Sequence, residues 1–211
     1  MHKDFQSAQE LMAPYVEEMR GVCRDAWTQG LLSGCNGNAS RRLPAPHEGI
    51  ACLTCTGAAK GRLAPQNCCL VEIESAAPLF GGPASTESGM HLAIYRAKPQ
   101  CGAILHTHPR RLLALSLRLE KEHSGLEAGL EDFLRLPLFE ADVWRARLGF
   151  APALPPGTVD LADAVARASL DHPAVWMAGH GLCSTGATLA EALCLTEELE
   201  HLAAIQLLSM R

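Results

Sequence analysis

The chain has 211 residues, of which 48% are hydrophobic and 19% charged, and its formal net charge is −5. That length suffices for a substantial core and is most economically one domain, residues 1–211, and the apolar content excludes a disordered chain. The negative charge offers no general field for nucleic acid, so an anionic ligand has to be caught locally, by backbone amides, a metal ion or a few placed cations.

The opening MHKDFQSAQE lacks the basic segment and apolar run of a signal peptide. No apolar stretch reaches the roughly 18 residues of a membrane-spanning helix. A cytoplasmic protein is therefore expected, with no membrane partner, in which nine cysteines serve as small core residues.

A helix is predicted from residue 7 to about 30, with Ser7 and Glu10 as a capping box and Leu11, Met12, Tyr15, Val16 and Met19 as its apolar face. SGCNGNAS breaks it. A strand-rich stretch follows from about 49 to 74, interrupted by the turn TGAAKGRLAP. Within it Cys52 and Cys55 form a C-x-x-C, with Cys68 and Cys69 behind, in the outline of a zinc ribbon. Both GIACLTC and NCCLVEIE read as strands, however, and cysteines three apart on a strand face opposite sides, whereas a ribbon sets each pair on a tight turn. These cysteines are read as structural.

GGPASTES is a second break, and Thr86 caps a helix through MHLAIYRAK that ends before Pro99. CGAILH suits a buried strand and PRRLLALSLRLEK a helix. Prolines at 137, 152, 155 and 156 give residues 121–157 the look of loops around short elements. Asp160 opens the helix LADAVARASL, and AVWMAG is a strand. The last helix starts with a Thr188–Glu191 capping box and carries Leu193, Leu195, Leu199, Leu202, Ile205 and Leu208. Alternating helices and short strands mean an α/β fold.

The chemistry-bearing residues are histidines. In ILHTHP, His106 and His108 stand at i and i+2, which at a strand end puts both imidazoles on one face and turns Thr107 away. His180, between glycines in AGHGLCSTG, is a credible third nitrogen. Three protein ligands with an open position are the arrangement of catalytic zinc. By itself an H-x-H pair is also what ordinary polar strand ends look like. The histidines at 2, 47, 91, 123, 172 and 201 lack such pairing and are read as surface or supporting residues, although His91, four residues after Glu87, is spaced to share a helix face with it.

The string ASTESGMHLAIYRAKPQCGAILHTHP resembles the signature of the class II aldolase/adducin family, which includes fuculose-phosphate aldolase and ribulose-phosphate 4-epimerase. SGCNGNASRR is similar to its glycine–asparagine phosphate loop, LTCTGAAKGRLAPQNCCLVEIE to its threonine–glycine turn and following strand, and MAGHGLCSTGATLAEAL to the segment with the third histidine. The four motifs occur in the family's order and span about residues 7–208.

The resemblance implies a three-layer α/β/α sandwich around a central mixed, largely antiparallel sheet. It implies His106, His108 and His180 as ligands of one Zn2+ per chain, with Glu87 on or beside the resting metal and exchanging protons. It places Gly37, Asn38, Thr56, Gly57, Ser85 and Thr86 at the substrate phosphate, where glycine amides, hydroxyls and a helix N-terminus suit an anion. Lys60, in the same turn, reads as a solvated lysine, and Arg41 and Arg42 remain ambiguous.

The implied activity is that of a zinc-dependent carbon–carbon lyase, an aldolase cleaving a small phosphorylated ketose through a metal-stabilised enediolate. Glutamate at 87 favours the lyases, since the epimerases carry aspartate there. One feature departs from the fuculose type, which uses a tyrosine downstream of the histidine pair. The only tyrosines are Tyr15 and Tyr95, leaving His123, Glu131 and Asp132 as possible replacements. The departure favours an alternative, decarboxylation of a 3-oxo sugar acid phosphate, whose departing carbon dioxide needs no proton. A pentulose-phosphate 4-epimerase and a non-catalytic, adducin-like interaction domain are further alternatives. The family also implies a homotetramer with active sites at subunit interfaces.

Overall fold

The computed structural model describes residues 2–123 and 129–210. Its strands are β1 (Asn38–Arg42), β2 (Ile50–Thr54), β3 (Cys68–Glu72), β4 (Pro78–Gly81), β5 (Ala103–Thr107), β6 (Leu148–Ala151), β7 (Ala174–Met177) and β8 (Gly181–Gly186). The helices are α1 (His2–Thr28), α2 (Ser88–Ala97), α3 (Arg110–His123), α4 (Phe139–Arg145), α5 (Val159–Asp171) and α6 (Leu189–Ser209). All eight strands form one sheet in the order β4-β3-β2-β1-β5-β8-β7-β6. Neighbours are antiparallel except β6 and β7, so the sheet is mixed and largely antiparallel, as expected.

Side-chain alternation along the strands divides the core into layers. Ala51, Leu53, Ile104 and Val175 point to the face covered by α2 and α5. Leu70, Ala103 and Leu105 point to the opposite face, under α1 and the start of α6. Ala174, Trp176 and Leu182 meet α3, α4 and the rest of α6 on that second face. The result is the expected α/β/α sandwich. In α1 the buried positions Met12, Val16, Met19, Cys23 and Ala26 recur every three or four residues, the stripe that docks a helix on a sheet. Truncating fully buried Met19 to alanine would cost about 2–5 kcal/mol.

The cysteine reading holds for the C-x-x-C quartet and for seven of the nine as buried residues, whereas Cys35 and Cys194 are exposed rather than in the core. Cys52 and Cys68 lie in the α1 layer, Cys55 and Cys69 in the α2 layer, and all nine cysteines are free. Burial, the largest influence, pushes the Cys23 and Cys68 thiols up to about 12, the state of inert core thiols.

Three helix starts differ from expectation. Helix α1 begins at His2, so Ser7 lies inside it and is no cap. Glu87 rather than Thr86 occupies the N-cap of α2, and its side chain makes no capping bond because it is directed at histidines. Thr158 rather than Asp160 caps α5, its hydroxyl accepting from Leu161 N, which leaves Asp160 in the first turn. Thr188 caps α6 as expected, its Oγ1 accepting from Glu191 N at 3.2 Å, but the return bond of the capping box is displaced by one residue, Glu191 Oε2 accepting from Ala187 N at 2.8 Å. Among the described residues no helix is long and apolar enough to cross a membrane.

Candidate active site

The site forms where β5 runs out at the middle of the sheet. His106 pairs with Asn38 of β1 on one side and Cys183 of β8 on the other, so its imidazole is held by a strand buried between two neighbours. His108 follows just past the strand, anchored by its amide donating to Leu31 O at 3.0 Å. His180 occupies the turn between β7 and β8, its amide donating to Met177 O at 3.0 Å. Two glycines allow this crowding. Gly37 has φ +65°, and a Cβ there would stand 2.5 Å from the carbonyl oxygen of His106. At Gly181 a Cβ would stand 2.5 Å from Thr107 O. A side chain at either position would force the backbones apart.

The three imidazoles converge. Ring centroids lie 4.8, 4.8 and 5.2 Å apart, and His106 Nε2 is 3.0 Å from His108 Nε2. Thr107, between the pair, is turned away and buried, as alternation requires. The carboxylate of Glu87 closes the cluster, with Oε2 at 3.3 Å from His106 Nε2 and Oε1 at 3.1 Å from His180 Nε2. Burial would raise the Glu87 pKa, but the imidazoles of His106 and His180 outweigh it and hold the group well below the usual carboxylate range. Burial, reinforced by His106 and His180 and opposed by Glu87, brings His108 down to about 4. A neutral His108 beside an ionised Glu87 is a protonation state in which both can ligate a cation.

The donor set fits a divalent metal. His106 Nδ1 faces Leu182 O at 3.0 Å and donates to it, which leaves Nε2 with its lone pair toward the cluster. His108 Nε2 and Glu87 Oε2 crowd the same point. His106, His108 and His180 each bring a ligand atom to within 4.8 Å of the others, and no other group of three or more histidines, cysteines or carboxylates among the described residues does so. A divalent cation between them would satisfy these lone pairs, and three imidazoles with a carboxylate are a recurrent divalent-metal donor set.

Beside the cluster lies a cleft of about 220 Å³. Gly37, Asn38, Thr56, Gly57, Ser85, Thr86, Glu87, His108 and His180 all line it, so residues from four separate motifs meet around it. Ser85 Oγ accepts from Asn38 Nδ2 at 3.1 Å and from Glu87 N at 3.3 Å, which leaves its own hydroxyl hydrogen for the cleft. Both Nδ2 hydrogens of Asn38 are engaged, one by Ser85 and one by Glu87 Oε2 at 3.0 Å.

Cys35, Asn36 and Lys60 also line the cleft. Lys60 corrects the expectation of a solvated side chain: it is 2% exposed, and its Nζ donates to Cys35 O at 2.9 Å and Ala58 O at 2.8 Å. Burial lowers its pKa, with Glu87 among the neighbours acting to raise it. An ammonium has three donors, so one remains after these two bonds. Nothing in TGAAKGRL distinguishes this lysine from an exposed one, because its burial depends on the distant loop at Cys35.

Arg41 and Arg42 resolve as structural residues. Arg41 donates to Gly102 O and Ala187 O and pairs with Glu18, while Arg42 donates to Cys101 O, Glu48 O and Tyr95 O and stacks on the Tyr95 ring. His123 and Asp132 pair with each other at 3.1 Å. Neither they nor Glu131 line the cleft, and neither do Tyr15 and Tyr95. His91 does not meet Glu87 directly; it is buried and reaches it through Asn38.

Residues 17–207 match the family model described as class II aldolase and adducin N-terminal domain. The chain is 30% identical over 188 residues to the L-fuculose phosphate aldolase of Methanococcus vannielii, covering 89% of this chain and 93% of that protein. It is 31% identical over 188 residues to the 3-oxo-tetronate 4-phosphate decarboxylase of Haemophilus influenzae, covering 89% and 84%. Among solved structures, the L-fuculose-1-phosphate aldolase of Thermus thermophilus superposes with a TM-score of 0.76 at 30% identity, over 92% of this chain and 93% of that one.

Proposed function

The chain belongs to the class II aldolase and adducin family, and from that premise we propose that it is a divalent-metal-dependent lyase acting on a carbon–carbon bond of a small phosphorylated ketose. One observation carries this reading. The His108 and His180 imidazoles and the Glu87 carboxylate line a donor-rich cleft that also holds a buried lysine, and His106 stands directly behind them.

His106, His108 and His180 would hold the ion, with zinc the first choice for three imidazoles, and Glu87 stands within reach of it. A bound divalent ion supplies Lewis-acid polarisation of the ketose carbonyl. Glu87 is the proton-transfer group. Its Oε2 is engaged by Asn38, which leaves Oε1, facing His180, to hold and move the proton. In the same cleft, Ser85, Thr86, Thr56 and the amides around Gly37 and Gly57 bind the phosphate, and Lys60 adds a cation. Gripping that remote anion orients the sugar and supplies binding energy away from the reacting bond.

A second reading is favoured by a specific observation. No tyrosine among the described residues lines the cleft, and His123 and Asp132 are paired elsewhere. Decarboxylation of a 3-oxo sugar acid phosphate places the same demands on Glu87 and the phosphate site, and its leaving group takes no proton. The relatives of both activities stand at nearly equal identity, 30% and 31%. The test is a screen of metal-loaded protein against phosphorylated ketoses and 3-oxo acid phosphates, measuring aldehyde and carbon dioxide release. Aldehyde release supports the lyase reading, carbon dioxide release the decarboxylase reading, and neither product from any phosphorylated substrate contradicts both.

A further inference from the structure

A buried row of side chains leads from α2 to the carboxylate of Glu87. Tyr95 OH lies 2.8 Å from Ser40 Oγ, which lies 2.7 Å from His91 Nδ1. His91 Nε2 hydrogen-bonds Asn38 Oδ1, and Asn38 Nδ2 donates to Glu87 Oε2 at 3.0 Å. Tyr95, Ser40, His91 and Asn38 are all buried.

The direction of every bond follows from what each group can donate. A carboxylate only accepts, so the nitrogen of the Asn38 amide faces Glu87 and the oxygen faces His91. That oxygen only accepts, so His91 carries its hydrogen on Nε2. A neutral imidazole has one N–H, so Nδ1 accepts from Ser40, and Ser40 in turn accepts from Tyr95. Burial, with His106 adding to it and Glu87 opposing, lowers the His91 pKa to about 3, consistent with the neutral ring this order requires.

We infer that His91 is a positioning residue: its Nε2–H fixes the Asn38 amide so that Nδ2 holds Glu87 Oε2 and leaves Oε1 facing His180. An asparagine amide turned by half a rotation would set its oxygen against the carboxylate instead. The ionised carboxylate itself opposes that turn; Ser85 Oγ does not, because it can accept from the amide or donate to it, and His91 Nε2–H adds the second lock. The inference rests on Glu87 being the proton-transfer group, and it assigns the setting of that carboxylate to a histidine that touches neither cleft nor metal ligand.

Two substitutions separate positioning from packing. In His91→Gln the side-chain amide extends to about the place of Nε2 and donates to Asn38. In His91→Asn it reaches only to about the place of Nδ1, keeping Ser40 and leaving Asn38 free. Both remove a buried ring and should lower Tm similarly. His91→Asn should lower kcat about 10–100-fold with KM little changed, as loss of an outer partner does, and His91→Gln should restore most of that turnover. Equal losses of kcat that follow Tm in both variants would overturn the inference.

Side-chain NMR of the 15N-labelled protein supplies a measurement independent of turnover and of any variant's folding. The wild-type His91 resonance should show hydrogen on Nε2 and none on Nδ1; the opposite tautomer overturns the inference. Should the wild type turn over no sugar phosphate, the proposed function fails, and the tautomer together with the Asn38 amide resonances decides the positioning role alone. Those amide resonances should move in His91→Asn and stay near the wild type in His91→Gln.

Discussion

Two parts of this sheet carry ligand-type side chains, and only one gathers them. On β2, just past its end and on β3, Cys52, Cys55, Cys68 and Cys69 have the sequence outline of a metal-binding quartet, yet they are shared between opposite layers of the core. At the end of β5, His106 and His108 stand two residues apart and bring their Nε2 atoms within 3.0 Å. The difference is parity: an even spacing on a strand converges, whereas spacings of one and three diverge across the sheet. Composition alone does not make a site; strand geometry decides which ligands can share an ion.

The largest effect expected from this contrast is at Glu87. Glu87→Gln keeps shape and removes the titratable group, so kcat should fall on the order of 10²–10⁴-fold at full metal loading while Tm stays close to the wild type. Near-normal turnover would reduce the residue to an N-cap. Next comes Lys60→Met, which replaces the buried cation of the cleft with an apolar chain of similar length. Binding of inorganic phosphate should weaken by about 1.5–3 kcal/mol, read by calorimetry, and unchanged affinity would remove Lys60 from the anion site.

Acid should then weaken the metal-free fold through His91. Its folded pKa is about 3, whereas an unfolded histidine titrates near 6.5. Between those values the unfolded chain binds a proton that the native chain refuses. The contribution is complete above about pH 6.5 and is lost as pH falls, by up to about 1.4 kcal/mol per unit for this group. Urea unfolding of wild type and His91→Gln from pH 7 to 4 should show a shallower acid slope in the variant; equal slopes would contradict the burial argument. The smallest effect belongs to the cysteine strands. Cys52→Ala should cost about 1 kcal/mol of stability and leave metal content untouched.

How much of this was legible in the sequence depended on whether burial was apolar. CGAILH reads as a strand because its buried residues are apolar, and Thr188 with Glu191 announces α6 through capping chemistry. By contrast β1, NASRR, hides its core positions behind hydrogen bonds: Asn38 and Ser40 are buried because His91, Tyr95 and Glu87 satisfy them, and no hydrophobic pattern reports that. β8, GLCSTG, is concealed in the same way, with Ser184 bonded to Thr196 across the layer. β4 is a short edge strand beginning with proline, and its mostly exposed residues leave no alternation to detect. In the site, the histidine pair is local in sequence and therefore readable. The burial of Lys60 and the row through His91 depend on residues 25 and 53 positions away, which periodicity cannot see.

The central claim is that the strand end at His106 and His108, completed by His180, is the metal centre. The most direct test is elemental analysis of purified wild type, His106→Ala and Cys52→Ala side by side, with Tm confirming that each is folded. About one divalent ion per chain is expected in the wild type and in Cys52→Ala, with sharply reduced metal in His106→Ala. Equal metal in all three, or loss confined to the cysteine variant, would contradict it.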